Sequence, residues 1–207
     1  MLIVKTILFD LDGTVVDSLQ LFIMCAEKLA EEYNQSKIEY DDSMRHLPLR
    51  EILAKKVNVP FYKIPKVVKE MKLLINETIT DVKAFKGIIP VMRKLSKKHK
   101  IAIVTSNSKK ATDIIIKKFG INFLEFVEAD ISLFGKSNAI KKIIKKRKLN
   151  KNNLIYVGDE VRDIEACKKI GIQIISVTWG FNSEKVLKQN KPNYLAKKPE
   201  DLLRIIS

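Results

Sequence analysis

A chain of 207 residues with 46% apolar side chains is long enough to bury a sizeable core and too apolar to be disordered. Its formal charge of +15 raises the question of nucleic acid. The excess is lysine spread along the chain, arginines are scarce and aromatics are not interleaved with the basic runs, so base stacking is not expected and attraction of small anions is.

Cys25 and Cys167 are far apart, lack C-x-x-C spacing and read as free thiols in a reducing compartment. Lys5 and Asp10 interrupt the apolar start, and no run approaches the ~20 apolar residues of a membrane span. A cytoplasmic protein with no leader and no membrane partner is expected.

The first element is an apolar run, Val4 to Phe9, that reads as a buried strand ending at Asp10-Leu11-Asp12-Gly13-Thr14. Strand alternation would put Asp10 and Asp12 on one side. Two carboxylates that close are costly unless neutralised, and a hard divalent cation such as Mg²⁺ is the obvious partner. Gly13 permits a sharp turn and Thr14 adds a hydroxyl. An acidic strand end followed by a turn is the plainer alternative.

No glycine occurs from Thr14 to Lys86. Leu19, Phe22, Ile23, Ala26, Ala30 and Tyr33 trace one helical face, capped by Asp17 or Ser18. A short helix after Pro48 and another from Pro65, with Val67, Val68, Met71, Leu74 and Ile75, complete what reads as a compact helical insert.

After Gly87 strands and helices alternate, the pattern of a mostly parallel α/β sheet. Helices are predicted over 88–98, 109–119, 137–148, 161–170 and 199–206. Strands are predicted over 100–105, 123–127, 154–157 and 172–177. In 139–149, Ile140, Ile143 and Ile144 recur at helical spacing with lysines on the other face, a normal solvated side.

Ligands of such sheets sit at the carboxyl ends of the strands. Those ends carry Asp10-Leu11-Asp12, Thr105-Ser106-Asn107, Gly135-Lys136 and Gly158-Asp159-Glu160-Val161-Arg162-Asp163. Acids, hydroxyls and a lysine therefore converge on one edge. For Asp159 and Asp163 the plainer reading is a pair of acids at a helix N-terminus, and for Thr105-Ser106-Asn107 a helix cap. His46 and His99 have no ligand spacing, and neither a G-x-S-x-G elbow nor a G-x-x-x-x-G-K-[ST] loop is present.

Asp10-Leu11-Asp12-Gly13-Thr14-Val15-Val16-Asp17-Ser18 resembles the first motif of the haloacid-dehalogenase-like hydrolases, in particular their phosphoglycolate-phosphatase-like branch. The other three sets resemble that family's second, third and fourth motifs in the same order. The resemblance implies a Rossmann-like mostly parallel sheet with helices on both faces, plus a small all-helical cap inserted after the first strand. The α/β core would comprise 1–15 and 86–207, and the cap 16–85.

It also implies a Mg²⁺-dependent phosphatase acting on a small phosphorylated metabolite through an aspartyl-phosphate. Asp10 would be the nucleophile and Asp12 the general acid and base. Lys136 would bridge nucleophile and phosphate, and Thr105, Ser106 and Asn107 would bind the phosphate. Asp10, Asp159 and the Asp12 carbonyl would hold the ion, with Asp163 on a metal water or on Lys136. Lys136 is followed by Ser137 where the family usually has proline.

The segment Met44 to Glu51 holds the insert's only arginines and resembles the branch's specificity loop. Arg50, and Arg45 beside it, could meet a substrate carboxylate or sugar hydroxyls; Arg50 as a solvent-facing helix start is the plainer reading. Phosphoglycolate is the first substrate expected. A sugar phosphomutase and a pyrophosphatase of the same branch are the nearest alternatives, and a non-catalytic nucleic-acid- or partner-binding protein is the alternative of another class. Nucleic acid is not the expected partner, and the assembly expected is a monomer or homodimer.

Overall fold

The computed structural model describes residues 4–32, 79–132 and 135–206, with isolated positions between 63 and 74. The central strand is β1 (Thr6–Phe9), where Ile7, Leu8 and Phe9 have no solvent exposure. After it come β2 (Val16–Asp17), helix α1 (Leu19–Glu32) and β3 (Lys83–Ala84). The chain continues with α2 (Ile88–Ser96), β4 (Lys100–Val104), α3 (Lys109–Lys118), β5 (Phe126–Glu128) and α4 (Lys136–Lys146). It ends with β6 (Leu154–Gly158), α5 (Val161–Ile170), β7 (Gln173–Val177), α6 (Glu184–Gln189), β8 (Tyr194–Ala196) and α7 (Asp201–Ile206).

Six strands form one sheet in the order β5-β4-β1-β6-β7-β8, every neighbouring pair parallel. Such a sheet is buried on both faces, which is why β1, β4 and β6 read as continuous apolar runs. Alternation along β1 sorts the core. Ile7 and Phe9 pack with Ile88, Met92, Ile115, Leu202 and Ile206, so α2, α3 and α7 cover one face. Leu8 packs with Ile140, Ile143, Ile144, Ile164, Cys167 and Leu187, so α4, α5 and α6 cover the other. On α4 the lysines 141, 142, 145 and 146 are exposed opposite the buried isoleucines. Among the described residues no helix is long and apolar enough to cross a membrane.

Two expectations change. The strand predicted over 123–127 begins only at Phe126, because Phe123 and Leu124 pack against the α2–α3 side of the core and Arg93 lies 5.0 Å over the Phe123 ring. β8 and α6 were not read from the sequence: β8 is a short edge strand with an exposed Tyr194, and α6 is a six-residue helix capped by Ser183. Both lack a strong apolar period.

Candidate active site

The central strand stops at Phe9, so the period-two argument for Asp10 and Asp12 does not hold beyond it. Asp10 N–H still donates to Val157 O at 2.9 Å, and the Asp10 carboxylate caps the next amide, Leu11 N–H, at 2.9 Å. The chain then folds back: Leu11 O accepts from Val15 N–H (2.8 Å) and Val16 N–H (3.0 Å). Asp12 therefore sits on a turn. Gly13 makes that turn possible with φ of 68°, and a Cβ there would lie 2.1 Å from Asp159 Oδ2. Only glycine allows this approach.

Asp159 follows β6, the strand beside β1, and is fully buried. The Thr14 hydroxyl donates to its Oδ1 (2.8 Å) and the Phe181 N–H to its Oδ2 (2.7 Å). Asp163 is also fully buried; its Oδ2 accepts from Glu160 N–H at 3.0 Å and its other oxygen pairs with Lys136. Glu160 and Asp163 form a reciprocal capping box at the start of α5, so the plain helix-cap reading and a place in the site coexist at Asp163. Asp159 stands outside that box.

Lys136 opens α4 and is 7% exposed. Its Nζ lies 2.5 Å from Asp10 Oδ2, pairs with Asp163, and stands 5.1 Å from the centre of the Tyr156 ring. Burial pulls the Lys136 ammonium down, but the Asp10 and Asp163 carboxylates override it and hold Lys136 well above the usual lysine range. Burial pushes the Asp10 carboxyl up to about 6 against the pull of Lys136, with Asp163 repelling. The Asp159 carboxyl is raised as well, by burial first and then by the charges of Glu160, Asp163 and Asp10. Half-buried Asp12 is also raised by burial, with the Ser18 and Asn107 side chains pulling the other way.

One oxygen each from Asp10, Asp159 and Asp163 lies within 4.8 Å of the other two, and all three residues are buried. One ammonium, that of Lys136, is paired to this acidic set, through Asp10 and Asp163. An all-oxygen donor set with surplus negative charge fits a hard divalent cation such as Mg²⁺.

β4, on the other side of β1, delivers the hydroxyl set. Thr105 continues the ladder, N–H to Glu128 O at 3.0 Å, and its buried Oγ1 accepts from Asn107 N–H at 3.0 Å. Ser106 is half-buried and Asn107 is buried, with its side chain facing the Asp12 carboxyl. These three are not the helix cap, which is Ser108, accepting from Ala111 N–H at 3.1 Å. Asp10, Thr105 and Asp159 thus leave the same edge of three adjacent strands. Arg45 and Arg50 lie outside the described residues.

One part was not read from the sequence: the loop after β7. Trp179 Nε1–H donates to Thr14 O (3.1 Å), Phe181 N–H to Asp159, and Val161 N–H to Asn182 Oδ1 (2.9 Å). Its position at the carboxyl end of a strand was the available signal.

The family model described as haloacid dehalogenase-like hydrolase matches residues 7–177. The chain is 27% identical to a phosphoglycolate phosphatase of Synechococcus elongatus, covering 98% of this chain and 97% of the relative. It is 26% identical to the pyrophosphatase PpaX of Halalkalibacterium halodurans, covering 98% and 97%. Among solved structures, a haloacid dehalogenase-like family hydrolase from Streptococcus pneumoniae superposes with a TM-score of 0.82 at 25% identity, covering 99% of each chain. With the catalytic-edge geometry and a match over most of its length, this chain belongs to the haloacid dehalogenase-like hydrolases and is an enzyme of that family.

Proposed function

We propose that the protein is a Mg²⁺-dependent phosphatase that hydrolyses a small phosphomonoester through an aspartyl-phosphate on Asp10. The observation that carries this reading is the meeting of buried Asp10, Asp159 and Asp163 with a single paired ammonium, Lys136, at the carboxyl edge of the sheet. Asp10 and Asp159 would hold the ion with the Asp12 carbonyl, and Asp163 would act through Lys136 or a metal-bound water. When bound, Mg²⁺ would offset the carboxylate charge and so admit an anionic phosphate.

A carboxylate oxygen of Asp10 attacks phosphorus, the ester P–O bond breaks, and Asp12 gives its proton to the leaving oxygen. Asp12 then takes a proton from water, whose oxygen attacks the same phosphorus; the Asp10–phosphorus bond breaks and orthophosphate leaves. Lys136 and the Thr105-Ser106-Asn107 turn hold phosphoryl oxygens, contributing positive charge and fixed donors where negative charge develops.

Substrate choice is assigned to residues 16–85 as an inserted cap, with Arg50 meeting a substrate carboxylate or hydroxyl. The pairing of β2 with β3, Val16 opposite Ala84 and Asp17 opposite Lys83, supports an insert by bringing its two ends side by side. Likeness to a phosphoglycolate phosphatase makes phosphoglycolate the first substrate to try; likeness to a pyrophosphatase makes pyrophosphate the second. Two buried cysteines, neither in a disulfide, support a reducing, cytoplasmic setting.

The test is phosphate release from a panel of phosphorylated metabolites and pyrophosphate, with and without Mg²⁺. Chelation should abolish release, and Asp10→Asn should remove nearly all of it. A rate for Asp10→Asn within a few-fold of wild type overturns the nucleophile assignment.

A further inference from the structure

The loop after β7 does more than close the sheet edge. Its backbone holds one oxygen of Asp159 through the Phe181 N–H, while Thr14 holds the other. Gly180 lets the loop come this close: a Cβ there would lie 2.2 Å from Gly13 O and 2.3 Å from Asp159 Oδ2. The two aromatic side chains of the loop pair with rings near the two ends of the 16–85 segment. The Phe181 ring lies 6.0 Å from that of Phe22 on α1, tilted by 54°. The Trp179 ring lies 6.4 Å from Phe85, just past β3, tilted by 60°.

We infer that Phe181 is a positioning residue for Asp159: its ring, seated on Phe22, sets the place of the backbone N–H that aims the carboxylate at the cation. The inference rests on the Mg²⁺ reading of the site. A carboxylate whose two oxygens each accept one fixed donor has a single orientation and keeps a lone pair on each oxygen for a cation. The Phe181 side chain carries no hydrogen-bonding group, so its truncation removes no donor or acceptor and alters the seat of the amide. Phe22 acts one step further out and through the same contact. Tilted aromatic pairs of this kind attract beyond the area they bury, and so favour one loop conformation.

The experiment is a Mg²⁺ titration of wild type, Phe181→Ala, Phe22→Ala, the double variant and Phe181→Leu, without substrate. Trp179, the single tryptophan, reports binding by fluorescence, and the rise of the unfolding midpoint with Mg²⁺ checks it. Outer partners of metal ligands typically alter affinity about 10–100-fold. Each alanine variant should weaken Mg²⁺ binding by about tenfold, while the midpoint without Mg²⁺ moves little. The double variant should be no weaker than the poorer single, and Phe181→Leu should recover most of the loss. If Phe181→Ala does not fold, Phe22→Ala carries the test alone. Wild-type affinity in Phe22→Ala, or fully additive losses in the double variant, overturns the inference. A wild-type protein that binds no Mg²⁺ overturns the reading of the site itself, and this inference with it.

Discussion

Lys136 Nζ stands 2.5 Å from Asp10 Oδ2 across 126 positions of sequence, and the same ammonium pairs with Asp163. Removing it leaves two buried carboxylates facing each other. Breaking one side of a buried ion pair costs about 3–5 kcal/mol, and loss of a charge that steadies a transition state costs about 10²–10³ in rate. Lys136→Met should therefore lower both urea stability and turnover of a generic phosphate ester by about these amounts. Turnover within a few-fold of wild type would take Lys136 out of the site.

Gly13 and Gly120 both adopt left-handed backbone, with φ of 68° and 61°, but their surroundings differ. A methyl group at Gly120 meets nothing within 4 Å, whereas at Gly13 it would fall 2.1 Å from Asp159 Oδ2. Gly120→Ala should cost only backbone strain, about 1–2 kcal/mol by thermal unfolding. Gly13→Ala should cost more than that and also weaken Mg²⁺ binding. Equal losses in the two variants would show that Gly13 serves the turn alone.

His99 lies at the opposite edge of the sheet, 8% exposed, where its Nδ1 accepts from Lys5 N–H at 3.3 Å. Burial, then the charges of Lys5 and Lys98, hold its imidazole below the ordinary value of 6.5. The unfolded chain thus takes up a proton near pH 6.5 that the folded chain resists. Stability from this group is present above 6.5 and lost as pH falls from there towards the lowered folded value. Chemical denaturation at pH 7.5 and 5 should show a smaller acid-side loss in His99→Gln than in wild type. Identical losses would mean that His99 does not titrate in this window.

Cys167 lies on the buried, sheet-facing side of α5, and burial pushes its thiol well above the usual range. In a Cys25→Ser variant, a disulfide-exchange reagent should leave Cys167 unmodified in native buffer and label it fully in guanidinium. Prompt native labelling would show that α5 opens readily from the sheet.

Much of the core was legible because its signals are local. Apolar runs marked β1, β4, β6 and β7, and α5 was read at its observed bounds, Val161–Ile170, with Gly171 closing it. Edge strand β8 and short α6 escaped, since neither buries a periodic face long enough to leave a pattern. Arg50 falls outside the described residues, and its role stays with the proposal.

The sequence alone determined the alternation of strands and helices, hence which segments end at the carboxyl edge, and it put Asp10, Thr105, Lys136, Asp159 and Asp163 there. Those are consequences of periodicity and of parallel winding. Tertiary structure decided that Asp12 rides a turn past the strand, that Asp163 both caps α5 and meets Lys136, and that Gly180 and Phe181 press against Asp159. Such relations depend on distances between segments remote in sequence, which packing sets and no local pattern encodes.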